Sequence, residues 1–350
     1  MSFSFAVIGI NHGHIDMQIE QMLEAGCSFK SFYAVEDDLA TKFQEKYPGA
    51  NRALSENEIL SDDGIKLILG AGIPSERAEM GMRAMRAGKD VMVDKPGATS
   101  LKQLEDLKKC QRETGRIYSI FYCERFHQRS TIKLQDMVAD GMIGDVLHVT
   151  CIGPHKLGLF ERPEWFYKRE KYGGILGDLS THMIDQFLTL TNSQSAEIIG
   201  SSVGNFHSPN HPELEDFGDV YLRSSDGSAT GYIRVDWLTP AALPTWGDGR
   251  LFVQGTKGAI ELRKYIDIAH HKNEGENHLY LSNEDGVQYI NCNDVPFLYG
   301  HMLRDDVLNR TETAMKQDHC FYATELALRA QAEAVTMKVR HNHPKSEEAA

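Results

Sequence analysis

Three features that mark common classes of protein are missing from this sequence. No stretch approaches the 18 or more apolar residues of a membrane span, and no basic segment precedes an apolar one at the N-terminus, so we expect neither a span nor a secretion signal. The six cysteines form no Cys-x-x-Cys pair, which argues against a zinc ribbon or a disulfide framework and agrees with a reducing cytoplasm.

Acidic residues outnumber basic ones, since the chain has 50 aspartates and glutamates and 37 lysines and arginines. The formal charge of −13 argues against nucleic acid and anionic membranes as partners.

The composition is that of a globular protein with two domains. Of the 350 residues, 41% are hydrophobic and 25% are charged, and this length is sufficient for two hydrophobic cores. The pattern of predicted elements changes near residue 125. We therefore predict one domain over 1–125, a second over 126–340 and a polar tail over 341–350.

Strand and helix signals alternate along the first part of the chain. Apolar runs predict strands at 3–8, 29–35, 65–69, 91–93 and 117–122. Helical spacing predicts helices at 15–23, 39–47, 75–87 and 101–114. Continuously apolar strands separated by helices indicate a parallel sheet covered on both faces, in the doubly wound Rossmann arrangement.

The second part of the chain is rich in strands. After a helix at 130–139, a strand at 146–152, a charged loop at 154–172 and a helix beginning at Gly173, hairpin signals follow. The predicted strands lie at 197–207, 219–224, 228–237, 250–253, 259–262, 279–281 and 287–290. A closing helix is predicted at 321–338. This order predicts an α+β domain with a large, mostly antiparallel sheet.

A polar stripe on the helix after Gly173 is the strongest functional signal. Asp178, His182 and Asp185 recur at i, i+4 and i+7 and share one face of an otherwise apolar helix. A buried carboxylate and imidazole need partners, and a substrate is one such partner. The alternative is a structural pair that fixes the helix to its neighbour, and the stripe alone does not separate the two readings.

A degraded glycine turn follows the first strand. Gly9 fits the first glycine of a dinucleotide turn, but Asn11 and His14 take the second and third places and Gly13 lies between them. Asn tolerates positive φ, so the turn can persist and present a helix N-terminus to a pyrophosphate. His12 and His14 are candidates for contacting phosphate or substrate, and helix capping is an equal alternative.

Two further positions complete a nucleotide site. Glu36 and Asp37 follow the second strand, where a carboxylate binds both ribose hydroxyls, and no arginine comes directly after them, which favours NAD over NADP. Lys95 follows the fourth strand, and the carboxyl ends of parallel strands form the crevice where open sheets bind ligands.

These motifs together resemble the glucose–fructose oxidoreductase/inositol dehydrogenase (Gfo/Idh/MocA) family over nearly the whole chain. Asp94-Lys95-Pro96 is similar to the family's Glu-Lys-Pro signature, and its helix signature of glycines followed by Asp-x-x-x-His-x-x-Asp fits the stripe described above. Weaker matches are Gly255-Thr256-Lys257-Gly258 and Arg125-Phe126. The sequence departs from the family at Cys123, where Asn is common, and at Ile73-Pro74-Ser75, where Thr-Pro-Asn is common.

The resemblance implies an oxidoreductase that moves hydride between NAD (NADP is possible) and a secondary alcohol of a sugar, polyol or related compound. It implies Lys95, Asp178 and His182 as the catalytic trio, with His182 taking the hydroxyl proton at a pKa near neutrality. It further implies a homodimer or homotetramer formed through the second sheet. The predicted cofactor contacts are Gly9, Asn11, His12, Gly13, His14, Glu36, Asp37, Ile73, Pro74 and Lys95. The predicted substrate contacts are Arg125 and Asp185, together with Trp165 and Arg169 of the charged loop, for which ordinary loop packing is the alternative.

Two other functions remain open at this point. The altered glycine turn suits a non-enzymatic nucleotide- or sugar-binding regulator built on the same scaffold. A divalent metal is a third hypothesis, since Asp178, His182 and Asp185 supply two carboxylates and an imidazole that His155 or His207 would complete. With 15 histidines in the chain, chance neighbours make the metal site the weakest of the three, and our prediction includes no metal.

Overall fold

The first of two sheets is parallel. The computed structural model describes residues 3–159, 161–268 and 277–338, and the strand order of this sheet is β3-β2-β1-β4-β5-β6. Its strands are β1 (Ser4–Ile8), β2 (Ser28–Tyr33), β3 (Asn51–Arg52), β4 (Ile65–Gly70), β5 (Asp90–Asp94) and β6 (Tyr118–Phe121). The strands β5 and β6 are buried along their whole length, as their continuous apolar character predicts.

Helices connect these strands, which confirms the predicted Rossmann arrangement. They are α1 (His14–Glu24), α2 (Asp37–Lys46), α3 (Glu56–Leu60), α4 (Pro74–Arg86) and α5 (Leu101–Thr114). Serine caps two of them as the sequence pattern requires, since the Ser55 and Ser100 side chains each accept a hydrogen bond from the third residue beyond. The short β3 and α3 were not predicted, because five residues or fewer give no periodic signal.

The second sheet has nine strands in the order β14-β13-β12-β11-β7-β10-β9-β8-β15. Only β7–β10 and β8–β15 pair in parallel, so the predicted mostly antiparallel sheet is confirmed for the described residues. Its strands are β7 (Val146–Pro154), β8 (Ala196–Gly204), β9 (Phe217–Ser224), β10 (Thr230–Asp236), β11 (Arg250–Gly255), β12 (Gly258–Arg263), β13 (His278–Asn283), β14 (Gly286–Asn291) and β15 (Val335–Thr336).

The helices of the second part pack on this sheet and on the helices of the first part. They are α6 (Cys123–Phe126), α7 (Arg129–Ala139), α8 (Arg169–Tyr172), α9 (Thr181–Leu190), α10 (Tyr299–Asn309) and α11 (Gln317–Glu333). A π-helical turn, Leu176–Ser180, leads directly into α9. The predicted loop at 154–172 instead contains two short 3₁₀ segments and α8, and its start is tied to the sheet by isolated bridges.

The C-terminal helices differ from the prediction. The helix α10 was missed, and α11 begins at Gln317 and ends at Glu333, where the chain turns into β15. Both helices return to the first sheet: Gln317 exchanges hydrogen bonds of 2.7 and 2.9 Å with the backbone of Tyr118, and the Gly300 amide donates to Gln21 at 3.0 Å. The division at residue 125 therefore stays a prediction, and the predicted tail at 341–350 lies outside the described residues.

One further property concerns membranes. Within the part of the chain that the structure describes, no helix combines the length and the apolar character needed to cross a bilayer.

Candidate active site

A cavity of about 270 Å³ opens where the carboxyl ends of three parallel strands face the second sheet. The turn after β1 supplies His12, Gly13 and His14, the end of β5 supplies Lys95, and the start of α6 after β6 supplies Cys123. Open parallel sheets bind ligands at this edge because strand ends and helix N-termini meet there. The opposite wall comes from the loop after β7, the segment after β10, and the helix that carries Asp178 and His182.

Lys95 and Asp178 form a buried ion pair in this cavity. The Lys95 Nζ lies 2.7 Å from the Asp178 Oδ1, and the two residues are only 4% and 9% exposed. Burial alone would lower the pKa of Lys95, but the adjacent Asp178 carboxylate outweighs burial and the pKa is raised. The lysine therefore stays positively charged, and two residues 83 positions apart meet in one site.

His182 lies on the same cavity wall and is 1% exposed. Its Nε2 is 3.8 Å from the Cys123 Sγ, and its Nδ1 has no hydrogen-bond partner within the described residues. Burial lowers the pKa of His182 well below its usual range, against the opposing charge of Glu124. The family resemblance implied a pKa near neutrality for His182. In the structure this pKa is lower, because burial removes water from the imidazole ring.

The local fold around Asp178 depends on two glycines. Gly173 and Gly174 have φ of +89° and +90°, which side chains with a Cβ rarely adopt. A Cβ on Gly174 would lie 2.3 Å from the Gln331 Oε1, which accepts a hydrogen bond from the Leu176 amide at 2.8 Å. Asp178 then falls in the π-helical turn, a feature frequently found at functional sites.

Asp94 organises the turn side of the cavity. Its fully buried carboxylate lies 3.0 Å from the His12 Nδ1, 2.9 Å from the His14 Nδ1 and 3.2 Å from a nitrogen of Arg77. Burial would raise the pKa of Asp94, but His14 and Arg77 outweigh burial and hold it well below its ordinary value. The arginine also donates to the backbone carbonyls of Gly72 and Lys95, so one buried network fixes both the turn and the backbone of Lys95.

The two turn histidines are held in different charge states. Burial lowers the pKa of His12 to about 4, and the neighbouring His14 adds to this shift. Burial also opposes protonation of His14, but the adjacent Cys123 and Asp94 outweigh burial and raise its pKa to about 10. A neutral and a charged imidazole therefore stand side by side at neutral pH, with ring centroids 4.3 Å apart.

The glycine turn keeps its first glycine in the left-handed conformation. Gly9 has a φ of +83°, and a Cβ there would lie 2.9 Å from the Gly72 Cα, so only glycine fits. Asn11 is not among the non-glycine residues with positive φ in the described chain, and Gly13 has an ordinary helical φ of −63°. The turn therefore survives because only its first glycine is needed for the backbone, rather than because Asn11 adopts positive φ.

The predicted ribose acids behave differently from each other. Glu36 accepts a hydrogen bond of 2.8 Å from the Asn11 side chain, which fixes its carboxylate beside the turn. The Asp37 side chain is 90% exposed and pairs with Arg52 of β3. The contact between Arg52 and Asp37 was not predicted, because 15 residues separate the two and only the pairing of β2 with β3 brings them together.

The remaining predicted site residues divide into two groups. Pro74 and Trp165 line the cavity with the residues named above, whereas Ile73 directly precedes α4 and is not part of the described lining. Arg125 and Asp185 form a 2.7 Å ion pair, Asp185 also contacts His319 at 2.8 Å, and Arg169 pairs with Glu215 at 3.4 Å. These three residues are absent from the described cavity lining, and their substrate contacts stay a prediction.

The metal hypothesis gains no support from this geometry. Asp178 and Asp185 are each paired with a different cation, so their carboxylates do not converge on His182. Among the described residues, the metal-type ligand atoms that lie within 4.8 Å of one another belong to His12, His14 and Asp94. The Arg77 guanidinium already contacts that carboxylate, and its charge opposes a bound cation.

The sequence did not predict Trp237, Trp246 or Glu124 in the cavity, and it named His155 only as a candidate metal ligand. Trp237 and Trp246 follow β10, and His155 follows β7 with ring centroids 5.2 and 4.6 Å from these two tryptophans. Glu124 lies at the base, 2.6 Å from the Lys264 Nζ. No local motif identifies these residues, although the rarity of tryptophan, with three in the chain, is a usable signal.

Two family models match the chain. One, described as an oxidoreductase family with an NAD-binding Rossmann fold, matches residues 3–122, and the GFO/IDH/MocA C-terminal domain matches residues 131–261. Together they cover well over half of the sequence. This chain belongs to the GFO/IDH/MocA family of oxidoreductases. Its first sheet is accordingly the NAD(P)-binding Rossmann fold of that family.

Individual GFO/IDH/MocA proteins and solved structures show the range of similarity. A structure from Erwinia carotovora atroseptica, described as a candidate oxidoreductase, is 39% identical, with a TM-score of 0.93 over 96% of this chain and all of that one. The scyllo-inositol 2-dehydrogenase (NAD(+)) of Bacillus subtilis is 27% identical over 208 residues, 58% of this chain and 56% of that enzyme. A 3-ketoreductase from Actinomadura kijaniata, solved with NADP and TDP-benzene, is 17% identical with a TM-score of 0.75 over 96% of this chain and 99% of that one, and shares the fold alone.

The chain spans about half the length of the curated relatives that it matches. Family membership therefore establishes an oxidoreductase scaffold with an NAD(P)-binding domain.

Proposed function

We propose that this protein is an NAD(P)-dependent oxidoreductase that acts on a secondary alcohol, or the corresponding ketone, of a sugar, polyol or related hydroxylated compound. The observation that carries the proposal is the 2.7 Å Lys95–Asp178 pair, which shares one cavity with His182 beside the glycine turn. Relatives named for D-xylose and scyllo-inositol support this substrate class.

His182 is the proposed proton acceptor. Because burial lowers its pKa well below the usual range, the imidazole is neutral at pH 7 and can take the hydroxyl proton of an alcohol. A bound nicotinamide supplies the hydride acceptor in oxidation and the hydride donor in reduction. In the direction of ketone reduction, the same ring returns the proton.

Lys95 is the proposed electrostatic group. Its ammonium remains charged because Asp178 raises its pKa, so it stabilises negative charge on the substrate oxygen as the proton leaves. Asp178 fixes the ammonium and, with its second oxygen, can orient a substrate hydroxyl. The three residues thus divide proton transfer, charge stabilisation and positioning among them.

The turn after β1 and the end of β2 would hold the cofactor. Gly9 permits close approach of the backbone, the N-terminus of α1 favours a pyrophosphate, and Glu36 is fixed where ribose hydroxyls bind. We propose NAD as the cofactor on the strength of Glu36. Arg52 beside Asp37 makes NADP the alternative, since a guanidinium can accept a 2′-phosphate.

The test combines cofactor binding with turnover. Titration of NADH and NADPH by calorimetry gives the preference, and a panel of sugars, polyols and hydroxy acids, followed by nicotinamide absorbance, gives the activity. His182→Asn is expected to lower kcat by ~100-fold or more, the usual contribution of a general base, without loss of cofactor affinity. Lys102→Gln on the exposed face of α5 is the control and should leave both values unchanged.

The same experiment separates an enzyme from a regulator. NADH binding with no turnover of any compound, and with no effect of His182→Asn on ligand binding, would contradict the proposed activity. That outcome would favour the nucleotide-binding regulator that the altered glycine turn suggests.

We also propose that the protein forms a homo-oligomer through the open face of the second sheet. Four half-exposed aromatic residues, Tyr221, Tyr232, Phe252 and Tyr289, share one row across this face. Gly231 packs against Phe187 of α9 on the other face, so its neighbour Tyr232 points away from the helices. A row of exposed rings on a large sheet is typical of an interface between copies.

A further inference from the structure

We infer that Tyr265 and His155 are specificity-determining residues that bind further oxygen atoms of a neutral, ring-shaped substrate at the tryptophan side of the cavity. Tyr265 donates a hydrogen bond to a substrate oxygen, and His155 accepts one from a substrate hydroxyl. The inference rests on the proposed function, because both residues line the cavity in which we place the reaction. It assigns a recognition role that neither the sequence motifs nor the relatives' names provide.

The first observation is a buried hydroxyl without a partner. Tyr265 follows β12 and lines the cavity, and it is 5% exposed. No group among the described residues forms a hydrogen bond with its phenol oxygen. Buried hydroxyls are nearly always paired, because an unpaired one costs free energy. A ligand oxygen that accepts a hydrogen bond from Tyr265 removes this cost.

The groups that act on this phenol lie on the reaction side of the cavity. Burial raises the pKa of Tyr265 well above its ordinary value, and the neighbouring Glu124 and Cys123 raise it further. Both neighbours also line the cavity, and the Cys123 Sγ lies 3.8 Å from the His182 Nε2. Tyr265 therefore keeps its proton and can donate it in a hydrogen bond on the same side as the proposed proton acceptor.

The second observation is a histidine whose tautomer is fixed by the backbone. The His155 Nδ1 lies 3.1 Å from the Gly153 carbonyl oxygen, and a carbonyl only accepts, so Nδ1 carries the proton. Burial lowers the pKa of His155 to about 4, so the ring is neutral at pH 7. Its Nε2 is then a hydrogen-bond acceptor. An acceptor at this point suits a hydroxyl and disfavours a carboxylate or a phosphate.

The third observation is the aromatic surface between these two residues. The Trp246 ring centre lies 4.3 Å from that of Tyr265 and 4.6 Å from that of His155. Trp237 lies 5.2 Å from His155 on the same wall, and all three tryptophans of the chain line the cavity. Aromatic faces can pack against the C–H face of a saturated ring, whose hydroxyls project from its edge. The wall therefore fits a ring, and the two polar residues meet its edge.

Two tyrosines of the cavity offer a matched test, because each substitution removes one oxygen. Tyr265→Phe removes the unpaired hydroxyl. Tyr172→Phe is the control, since the Tyr172 hydroxyl donates to the Glu213 carbonyl and accepts from the Glu215 amide, each at 3.0 Å. We expect a lower urea midpoint for Tyr172→Phe, which leaves two backbone groups unpaired, and an unchanged or higher midpoint for Tyr265→Phe.

Ligand binding should give the opposite order. The full-length protein with NADH is titrated with myo-inositol, with D-xylose and with cyclohexanol, which keeps a ring and one hydroxyl, and tryptophan fluorescence reports each Kd. Tyr265→Phe should raise the Kd of the two polyols ~3- to 10-fold, the contribution of one hydrogen bond, and leave that of cyclohexanol unchanged. Tyr172→Phe should change none of the three values.

The same titration tests His155. His155→Asn keeps a polar group near the position of Nδ1 but has no acceptor at that of Nε2, so it should raise the Kd of the polyols by a similar factor. His155→Gln carries a carbonyl oxygen near the position of Nε2 and should restore part of the affinity. Equal losses in the two variants would contradict the role of Nε2.

The inference would be overturned if neither polyol bound the native protein, or if Tyr265→Phe affected polyols and cyclohexanol alike or not at all. A urea midpoint lowered as much by Tyr265→Phe as by Tyr172→Phe would also contradict it. Failure of the proposed oxidoreductase function has a different signature: polyols that bind in a Tyr265-dependent way but are never oxidised. Conversely, polyol oxidation with a KM that Tyr265→Phe leaves unchanged would contradict the inference alone.

Discussion

At the scale of single residues, the site is held by buried charges whose partners come from distant parts of the chain. Asp94 neutralises Arg77 and contacts both turn histidines, while Asp178 neutralises Lys95. The sequence predicted Lys95, Asp178 and His182 from topology and helical spacing. It did not predict that Asp94 anchors Arg77 and the two turn histidines, because a carboxylate at a strand end has many possible partners and the chain pattern does not select one.

Replacement of Asp94 should therefore be costly to stability. Asp94→Asn leaves the fully buried Arg77 guanidinium without its counter-charge, and we expect a loss of about 3–5 kcal/mol in the free energy of unfolding. Urea denaturation measures the change. Asp37→Asn is the matched control, since the 90% exposed Asp37 pairs with Arg52 at the surface and should cost less than about 1 kcal/mol. Equal effects of the two variants would refute the anchoring role.

The pH dependence of activity follows from His182. Burial depresses its pKa, so the ring stays deprotonated and able to accept a proton at pH values below the usual 6.5 of histidine. We expect kcat/KM for alcohol oxidation to remain level as the pH falls from 7.5 to about 6, and to decline only below that. His182→Asn should remove this acidic limb from what activity remains. An acidic limb centred near 6.5 in the native protein would contradict the assignment.

At the scale of elements, the helix that carries Asp178 and His182 is shaped by its N-terminal turn. The apolar periodicity of the sequence predicts a helix after Gly173, and the structure confirms it as α9. Periodicity does not distinguish a π-helical turn from an α-helical one, so the widened turn Leu176–Ser180 was not foreseen. The turn is imposed by packing, since Gln331 of α11 caps the Leu176 amide.

Two glycines of this segment offer a matched comparison. Gly174→Ala forces a Cβ into a backbone with φ of +90° and towards Gln331 and Arg169 at 2.3 and 2.4 Å, and we expect it to destabilise by at least about 1–2 kcal/mol. Gly177→Ala lies within the helical turn, and its Cβ would meet only Leu328 at 3.8 Å, so it should be neutral or slightly stabilising. Thermal and urea unfolding of both variants test this; a Gly174→Ala protein as stable as Gly177→Ala would show that the backbone strain is absent.

At the scale of the whole molecule, the C-terminal helices tie the second part of the chain to the first sheet and its helices. The helix α11 exchanges hydrogen bonds with β6 through Gln317, and α10 packs on α1. This return of the chain to the first sheet was not predicted, because α10 has only a weak amphipathic pattern and its partner lies far away in sequence. The predicted division into two domains therefore omits the contacts that α10 and α11 make with the first part of the chain.

The open face of the second sheet carries the remaining whole-molecule prediction. Replacing Tyr232 and Phe252 together by Glu should convert an oligomer into monomers, because it places charges at the centre of the aromatic row. Light scattering after size-exclusion chromatography gives the mass, and circular dichroism checks the fold. Leu308→Glu, at a 60% exposed position on α10, is the control and should retain the native mass. A native protein that is itself monomeric would refute the interface.

By itself the sequence predicted most of the strands and helices in their order, the family, and three residues, Lys95, Asp178 and His182, that the structure brings into one cavity. These depend on local periodicity, on glycine and proline chemistry, and on short motifs, all of which are properties of neighbouring residues. Only the tertiary structure decided which carboxylate pairs with which cation, and that three tryptophans line the same cavity as the Lys95–Asp178 pair. Such contacts depend on how distant segments pack, and burial then sets the charge of each group, which no local pattern encodes.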